Sequence, residues 1–231
     1  SDWSSDVCSS DLIAYQILIC RHMIQTDLLY RDITMEASWE ILINSIKELH
    51  TNNPILQNFC PFPNDLISQN VEHFHIEACD LIKREENLNT NQYKDLRDKI
   101  TEKAGYAHWR QTYKGTAVES RFLSQFGCYC LIGVGGPYTS NNMRAWVVYM
   151  PPNLYYPWHY HPAEELYFCI AGEAIFKADG QEDRLLGEGG IAQHSSNQSH
   201  AMQTNNKPVL AYVVWRNEFD VLPKLTHDDA K

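Results

Sequence analysis

From residue 121 to residue 231 the chain is built of short runs of β-forming residues, separated by turns that contain glycine or proline. The clearest runs are Tyr129–Val134, Ala145–Met150, Glu165–Ile170, Ala174–Ala178 and Val209–Trp215. Many short strands with such turns between them are typical of antiparallel barrels and jelly rolls. We therefore predict that residues 121–231 form one β-barrel, with a turn at Ala171-Gly172 between two of its strands.

The preceding residues, 13–120, have a different pattern, in which apolar side chains recur at helical spacing. A first stripe consists of Trp39, Leu42, Ile43, Ile46 and Leu49, and a second of Leu66, Val71, Phe74, Ala78 and Leu81. Pro54 and the Pro61–Pro63 segment interrupt the chain between the two stripes. We predict an α-helical N-terminal region, with His73 and His75 on the second helix, where their imidazoles would point about 200° apart and would not form a pair of metal ligands.

Residues 1–12 fit neither region. They repeat Ser-Asp without an amphipathic pattern, and they lack the basic and apolar segments of a secretory signal. We interpret them as a non-native or disordered extension.

The composition excludes several classes of protein. Lys and Arg total 19 against 29 Asp and Glu, so the formal net charge is −10, which argues against a nucleic-acid partner. No apolar run approaches the roughly 18–20 residues of a membrane span. The seven cysteines are odd in number and form no CxxC pair, which favours free thiols in a reducing, cytoplasmic compartment.

Side chains that bind metals are concentrated in residues 155–172. His159 and His161 are two residues apart, so on an extended segment both point to one face, as do Glu165 and Tyr167 on the strand that follows. His200 supplies a third imidazole from a later segment. Imidazole and carboxylate ligands suit Zn, Fe, Mn or Ni and leave a position for substrate. The other nearby histidine, His194, is expected in a turn or in a supporting role.

This spacing resembles a known family. The pattern His159-x-His161-x3-Glu165-x6-Gly172 resembles the first cupin motif, and His200 stands where the second motif carries its metal histidine. Asn153 and Asn197 occupy positions where the motifs have glycine. Both are turn positions that tolerate asparagine. The resemblance implies a mainly β fold, the cupin double-stranded β-helix.

A narrower resemblance rests on the residues around these ligands. The sequence Tyr156-Pro157-x-His159-x-His161-Pro162-Ala163-Glu164-Glu165-x-Tyr167, followed by His200-Ala201-Met202, resembles the cupin-type dimethylsulfoniopropionate (DMSP) lyases. In that family a helical segment precedes the barrel. The resemblance implies base-catalysed β-elimination, in which DMSP is cleaved to dimethyl sulfide and acrylate.

The same resemblance implies roles for individual residues. A divalent metal (Zn, Mn, Fe or Ni) is expected on His161, Glu165 and His200, with His159 as a further ligand or an orienting partner. Tyr167 is the preferred candidate for the catalytic base, and Tyr156 is the alternative candidate. Aromatic faces suit a sulfonium cation, and the candidates for this contact are Tyr156, Trp215, Trp158 and Tyr149.

Two alternatives stay open at this point. One is another metal-dependent cupin enzyme, a dioxygenase or an isomerase, and the other is a non-catalytic cupin that binds a small molecule. Cupins commonly dimerise, so a homodimer is also open. No nucleic-acid or membrane partner is expected.

Overall fold

The computed structural model describes residues 38–116 and 118–226. The chain divides into two compact units, Ser1–Ile41 and Leu42–Lys231. The predicted extension at residues 1–12 lies outside the described residues, as do Cys8 and Cys20. The other five cysteines are free thiols.

The helices precede most of the strands in the chain. They are α1 (residues 38–52), α2 (Pro54–Phe59), α3 (Glu77–Arg84), α4 (Lys94–Lys103) and α5 (Ser120–Gln125). The strands are β1 (Ile67–Ser68), β2 (Gly127–Ile132), β3 (Tyr138–Thr139), β4 (Arg144–Met150), β5 (Tyr155–Tyr160), β6 (Glu164–Ala178), β7 (Arg184–Gly187), β8 (Ile191–His194), β9 (His200–Gln203), β10 (Val209–Arg216) and β11 (Lys224–Leu225). None of the helices within the described ranges has the length and apolarity needed to cross a bilayer.

The strands form two sheets that share β6. The first sheet has the order β1-β3-β2-β4-β10-β6-β8, and the second has the order β7-β6-β9-β5-β11. All strand pairs are antiparallel except β2 with β3. The structure confirms the predicted mainly β fold of the cupin type. The predicted division between helices and barrel at residue 120 stays a prediction.

Strand β6 is continuous over 15 residues, so the predicted turn at Ala171-Gly172 is wrong. The strand pairs with β10 as far as Gly172 and with β7 from Glu173 onward, so it passes from one sheet to the other. Gly172 has φ +70°, a conformation that glycine adopts without strain. The glycine therefore bends a strand instead of ending it.

Gly172 also has no room for a side chain, because a Cβ there would lie 1.9 Å from the carbonyl oxygen of Pro208. We expect Gly172→Ala to lower the free energy of unfolding by about 3 kcal/mol, through backbone strain and this clash. Gly180→Ala is the matched control, since Gly180 has φ +75° but no atom near the added Cβ. It should lose only about 1 kcal/mol. Urea unfolding measures the free energy of unfolding of both variants. Equal losses in the two would show that the clash at Gly172 has no effect.

The first helical stripe is confirmed by α1, in which Leu42, Ile43 and Ile46 are buried. The second stripe is wrong for residues 66–76. That segment contains β1, and Phe74 pairs with His108 in an isolated β-bridge. Phe74 is exposed, so the residues at helical spacing do not share one buried face. Apolar spacing alone cannot exclude an extended edge segment.

His73 and His75 therefore lie on this extended segment and not on a helix. His73 Nδ1 is 3.0 Å from the carbonyl oxygen of Ala107, and His75 Nε2 is 3.0 Å from the Asp80 carboxylate.

The core that positions the candidate site lies between the two sheets. Its first sheet contributes residues from β2, β4, β10 and β6, and its second sheet contributes residues from β5, β6 and β9. Five polar side chains are buried at this interface, each at most 3% exposed: His159, His161, Glu165, His194 and His200. Buried polar groups of this kind need partners or a ligand.

Candidate metal centre

The strand registers bring the candidate ligands together. Glu165 on β6 lies opposite Trp215 on β10 and His194 on β8. In the second sheet His159 on β5 lies opposite His200 on β9. Residues that are directly opposite in a sheet point to the same face, which here is the buried one.

Three atoms of this cluster converge. Glu165 Oε2 is 3.0 Å from His200 Nε2 and 3.5 Å from His161 Nε2. None of these three buried atoms has a hydrogen-bond partner of acceptable geometry among the described residues. Buried polar atoms left without partners usually serve a ligand or an ion.

The remaining polar atoms of the same side chains are all engaged. His161 Nδ1 donates to the carbonyl oxygen of Ala163 at 2.9 Å, and His200 Nδ1 donates to that of Gln198 at 2.8 Å. In both rings Nδ1 is therefore the nitrogen that serves the backbone, and Nε2 is directed at Glu165 and available as a ligand atom. Trp215 Nε1 donates to Glu165 Oε1 at 2.6 Å, which leaves Oε2 for the centre.

The charge of the carboxylate is secured by its neighbours. Burial raises the pKa of Glu165, but the rings of His161 and His200 outweigh this effect and hold the pKa well below its usual range. The carboxylate is therefore ionised. Two imidazole nitrogens and one carboxylate oxygen form a donor set that suits a divalent transition metal. The cupin fold and this histidine-rich cluster together indicate metal binding.

His159 lies beside the cluster, as predicted for a ligand or an orienting partner. Its potential ligand atom is within 4.8 Å of those of His161 and His200. Its Nδ1 donates to the carbonyl oxygen of Pro157 at 2.8 Å, and its ring stacks on Tyr156 at 4.0 Å. Burial and the nearby His200 hold the pKa of His159 well below its usual value, so the ring is neutral.

His194 is closer to the cluster than the sequence indicated. It ends strand β8 and is not in a turn, and its ring stacks on His200 with centroids 4.1 Å apart. Burial lowers the pKa of His194 to about 3. Its Nδ1 has no hydrogen-bond partner among the described residues. Sequence spacing did not indicate this proximity, because only the pairing of β8 with β6 places His194 opposite Glu165.

A cavity of about 740 Å³, including its open mouth, adjoins the cluster. Glu165 and Tyr167 line it, and so do two of the predicted substrate contacts, Tyr156 and Trp215. Its other aromatic walls are Phe126, Trp146 and Phe219.

The structure does not bring the other two predicted substrate contacts to this cavity. Tyr149 is fully buried on the opposite face of β4, and its hydroxyl donates to Glu85 at 3.4 Å. Trp158 is also absent from the cavity lining, and its carbonyl oxygen accepts a hydrogen bond from Thr226 N.

The two candidate bases have different surroundings. Burial raises the pKa of Tyr167 well above its usual value, and the charge of Glu165 adds to the effect. Burial raises the pKa of Tyr156 in the same way, and Tyr113 raises it further. The hydroxyls of Tyr156 and Tyr113 are 3.0 Å apart and hydrogen-bonded. No sequence motif marked Tyr113, because a loop brings it to the barrel from outside the strands.

Trp215 is expected to tune metal affinity through Glu165. We expect Trp215→Phe to keep the ring that packs on His161 at 4.2 Å but to lose the N–H donor, so that metal affinity falls about 10–100-fold. Titration against a competing chelator measures this affinity. Trp109→Phe removes a comparable bond, 2.7 Å to Ala104 O, away from the cluster. It should lower stability without changing metal affinity; equal affinity in the Trp215 variant and the wild type would contradict the role of this bond.

Comparisons with known proteins agree with the geometry. Residues 70–211 match the protein family described as dimethylsulfoniopropionate lyase. Dimethylsulfoniopropionate lyase DddQ of Ruegeria pomeroyi (strain ATCC 700808 / DSM 15171 / DSS-3) is 39% identical over 196 residues, which cover 85% of this chain and 98% of that protein.

Two crystal structures share the fold over most of the chain. DMSP lyase DddQ from Ruegeria pomeroyi DSS-3 has a TM-score of 0.82 at 39% identity, covering 84% of this chain and 99% of the other. A structure from work on the DMSP lyases RdDddP and RnDddQII has a TM-score of 0.79 at 30% identity, covering 83% and 98%. The family match spans more than half of the sequence and includes every residue of the cluster from His159 to His200. The chain therefore belongs to the dimethylsulfoniopropionate lyase family.

Proposed function

We propose that this protein is a metal-dependent carbon–sulfur lyase that cleaves DMSP to dimethyl sulfide and acrylate. The observation that carries the proposal is the convergence of His161 Nε2, His200 Nε2 and Glu165 Oε2 beside a cavity lined by Tyr167. Membership of the DMSP lyase family supports the choice of substrate.

His161, Glu165 and His200 would hold the metal, with His159 and His194 beside it. Zn, Mn, Fe and Ni all suit this donor set. A divalent ion held there would supply positive charge that stabilises negative charge developing on the substrate carboxylate and lowers the pKa of a neighbouring tyrosine.

Tyr167 is the proposed base. It takes the proton from the carbon beside the substrate carboxylate, the electron pair of that C–H bond forms the new C=C bond, and the C–S electron pair leaves with dimethyl sulfide. Tyr156 is less suited, because its hydroxyl already bonds to Tyr113 and its ring stacks on His159. Tyr156 and Trp215 are proposed as walls of the substrate cavity.

The test is to incubate the metal-loaded protein with DMSP and to follow both products. Headspace gas chromatography measures dimethyl sulfide, and liquid chromatography measures acrylate in the same vial. We expect equal amounts of both, abolished by a chelator and restored by one of the four metals. Absence of product with every metal would exclude DMSP as the substrate.

Oxygen consumption distinguishes the lyase from a cupin dioxygenase. A cupin dioxygenase would consume oxygen with a small organic acid, whereas the elimination consumes none. A non-catalytic cupin would bind the acid without turnover. No observation among the described residues favours either over the lyase.

We further propose that the protein is cytoplasmic and forms a homodimer. Within each chain we propose a helical region, residues 13–120, and a barrel, residues 121–231. The five free cysteines support a reducing compartment, and the net charge of −10 argues against nucleic acid as a partner. Light scattering coupled to size-exclusion chromatography tests the dimer.

A further inference from the structure

Arg110 reaches the cavity from a segment that precedes the barrel. Trp109 forms an antiparallel bridge with Tyr129 on β2, and the backbone N–H of Arg110 donates to Cys128 O at 2.8 Å. Arg110 thus lies beside Cys128, on the other face from the fully buried Trp109 and Tyr129. Arg110 and Cys128 both line the cavity.

The guanidinium of Arg110 has no anionic partner. It lies over the ring of Trp146, with its central carbon 4.7 Å from the ring centroid. Within residues 38–116 and 118–226 it makes no ion pair and no hydrogen bond. A half-buried arginine that carries five N–H donors usually binds a carboxylate or a phosphate.

The second arginine of the cavity is in a different state. Arg144 pairs with Asp220 at 2.8 Å and donates to the carbonyl oxygens of Ser140 and Met143. Its charge is therefore already neutralised within the protein. Of the two cavity arginines, only Arg110 presents an uncompensated charge.

Another donor on the same wall is unused. Trp146 is 7% exposed, and its indole Nε1 has no acceptor among the described residues. The cavity thus joins an unpaired cation to a buried N–H group without a partner. Both features are expected where a ligand supplies the acceptor.

The positions of Arg110 and Glu165 fit one small ligand. Arg110, Cys128 and Glu165 all line the same cavity. A molecule of a few carbon atoms that enters the cavity can approach both Arg110 and Glu165.

We propose that Arg110, assisted by Trp146, is a carboxylate-binding subsite for the small acids that enter this cavity. For the substrate and the acrylate product, this assignment rests on the proposed function. The physical reason is charge. Removal of the proton beside the carboxylate places further negative charge on its oxygens, and the guanidinium offers a second cation there. Arg110 also repels the sulfonium group, so it sets the direction in which the substrate lies.

The experiment is calorimetric titration of zinc-loaded protein with propionate, a saturated acid that cannot undergo the elimination. Arg110→Gln should bind propionate about 10–100-fold more weakly than the wild type, since it loses a charge-assisted contact. Arg110→Lys should show a smaller loss, because it keeps the charge without the planar fork. The control Arg84→Gln changes an exposed arginine on α3 and should leave the affinity unchanged.

A second probe separates the subsite from general damage to the cavity. Ethyldimethylsulfonium carries the cation without a carboxylate, so Arg110→Gln should bind it at least as well as the wild type does. Metal content and the thermal unfolding temperature establish that each variant is folded. If Arg110→Gln does not fold, the propionate affinity of Arg110→Lys, compared with that of the wild type, tests the proposal.

Two results would overturn the proposal: a wild type that does not bind propionate at millimolar concentration, or Arg110 variants that bind it within about twofold of the wild type. Failure of the lyase function would appear separately, as a wild type that binds propionate through Arg110 but releases no dimethyl sulfide from DMSP.

Discussion

Replacing Glu165 with alanine is expected to remove the metal from the protein and to abolish turnover. Glu165 supplies the only carboxylate among the three converging atoms, and its ionised state is maintained by His161 and His200. Without it, only imidazole nitrogens face the ion. His161→Ala should have the same effect. Elemental analysis after gel filtration should give about one metal per chain in the wild type and almost none in either variant.

A histidine outside the cluster provides the control. His73→Ala removes an exposed imidazole from the extended segment before α3 and should retain the wild-type metal content. Circular dichroism establishes that all variants are folded. Full metal retention in both Glu165→Ala and His161→Ala would show that the proposed ligand set is wrong.

Replacing Tyr167 with phenylalanine is expected to lower kcat by about 10³-fold, the range found when a general base is removed. The metal content should stay at the wild-type level, because the three converging ligand atoms are untouched. The ring that contacts Phe176 at 5.5 Å is also kept, so stability should change little. Dimethyl sulfide release under saturating DMSP measures kcat, and elemental analysis measures the metal content.

Tyr156→Phe is the companion variant. It removes a hydroxyl from the same cavity but keeps the ring on His159, so its effect on kcat should be much smaller. The pH dependence gives a further check. The alkaline rise in kcat that reports ionisation of the base should disappear in Tyr167→Phe and persist in Tyr156→Phe. Near-normal activity of Tyr167→Phe would make Tyr156 the base.

Local patterns in the sequence predicted the longer strands of the barrel. The runs of β-formers correspond to β2, β4, β6 and β10, because alternation and turn residues act within a few positions of each other. Asn153 and Asn197 replace glycine in the cupin motifs, and both adopt positive φ, at 57° and 59°. Asparagine tolerates this conformation, which is why these departures leave the fold unchanged.

The same reasoning failed where a local pattern permits two structures. The apolar spacing around Phe74 fits a helix, but the segment pairs with another part of the chain instead. Gly172 reads as a turn, but the pairing of β6 with strands in both sheets makes it a bend within one strand. In both places contacts between distant residues outweigh local preference.

Which of these side chains share a face could be predicted from their spacing along the chain. Glu165 and Tyr167 are two residues apart on β6, and His161, which directly follows β5, is two residues after His159 on that strand; such alternation depends on nothing further away. Their neighbours in the cluster, in contrast, depend on the pairing of distant strands. His194 reaches Glu165 through the register of β8 on β6, and Trp215 donates to Glu165 through that of β10. Arg110 enters the cavity from outside the strands. These placements follow from cross-strand register and chain closure, which no spacing along the sequence encodes.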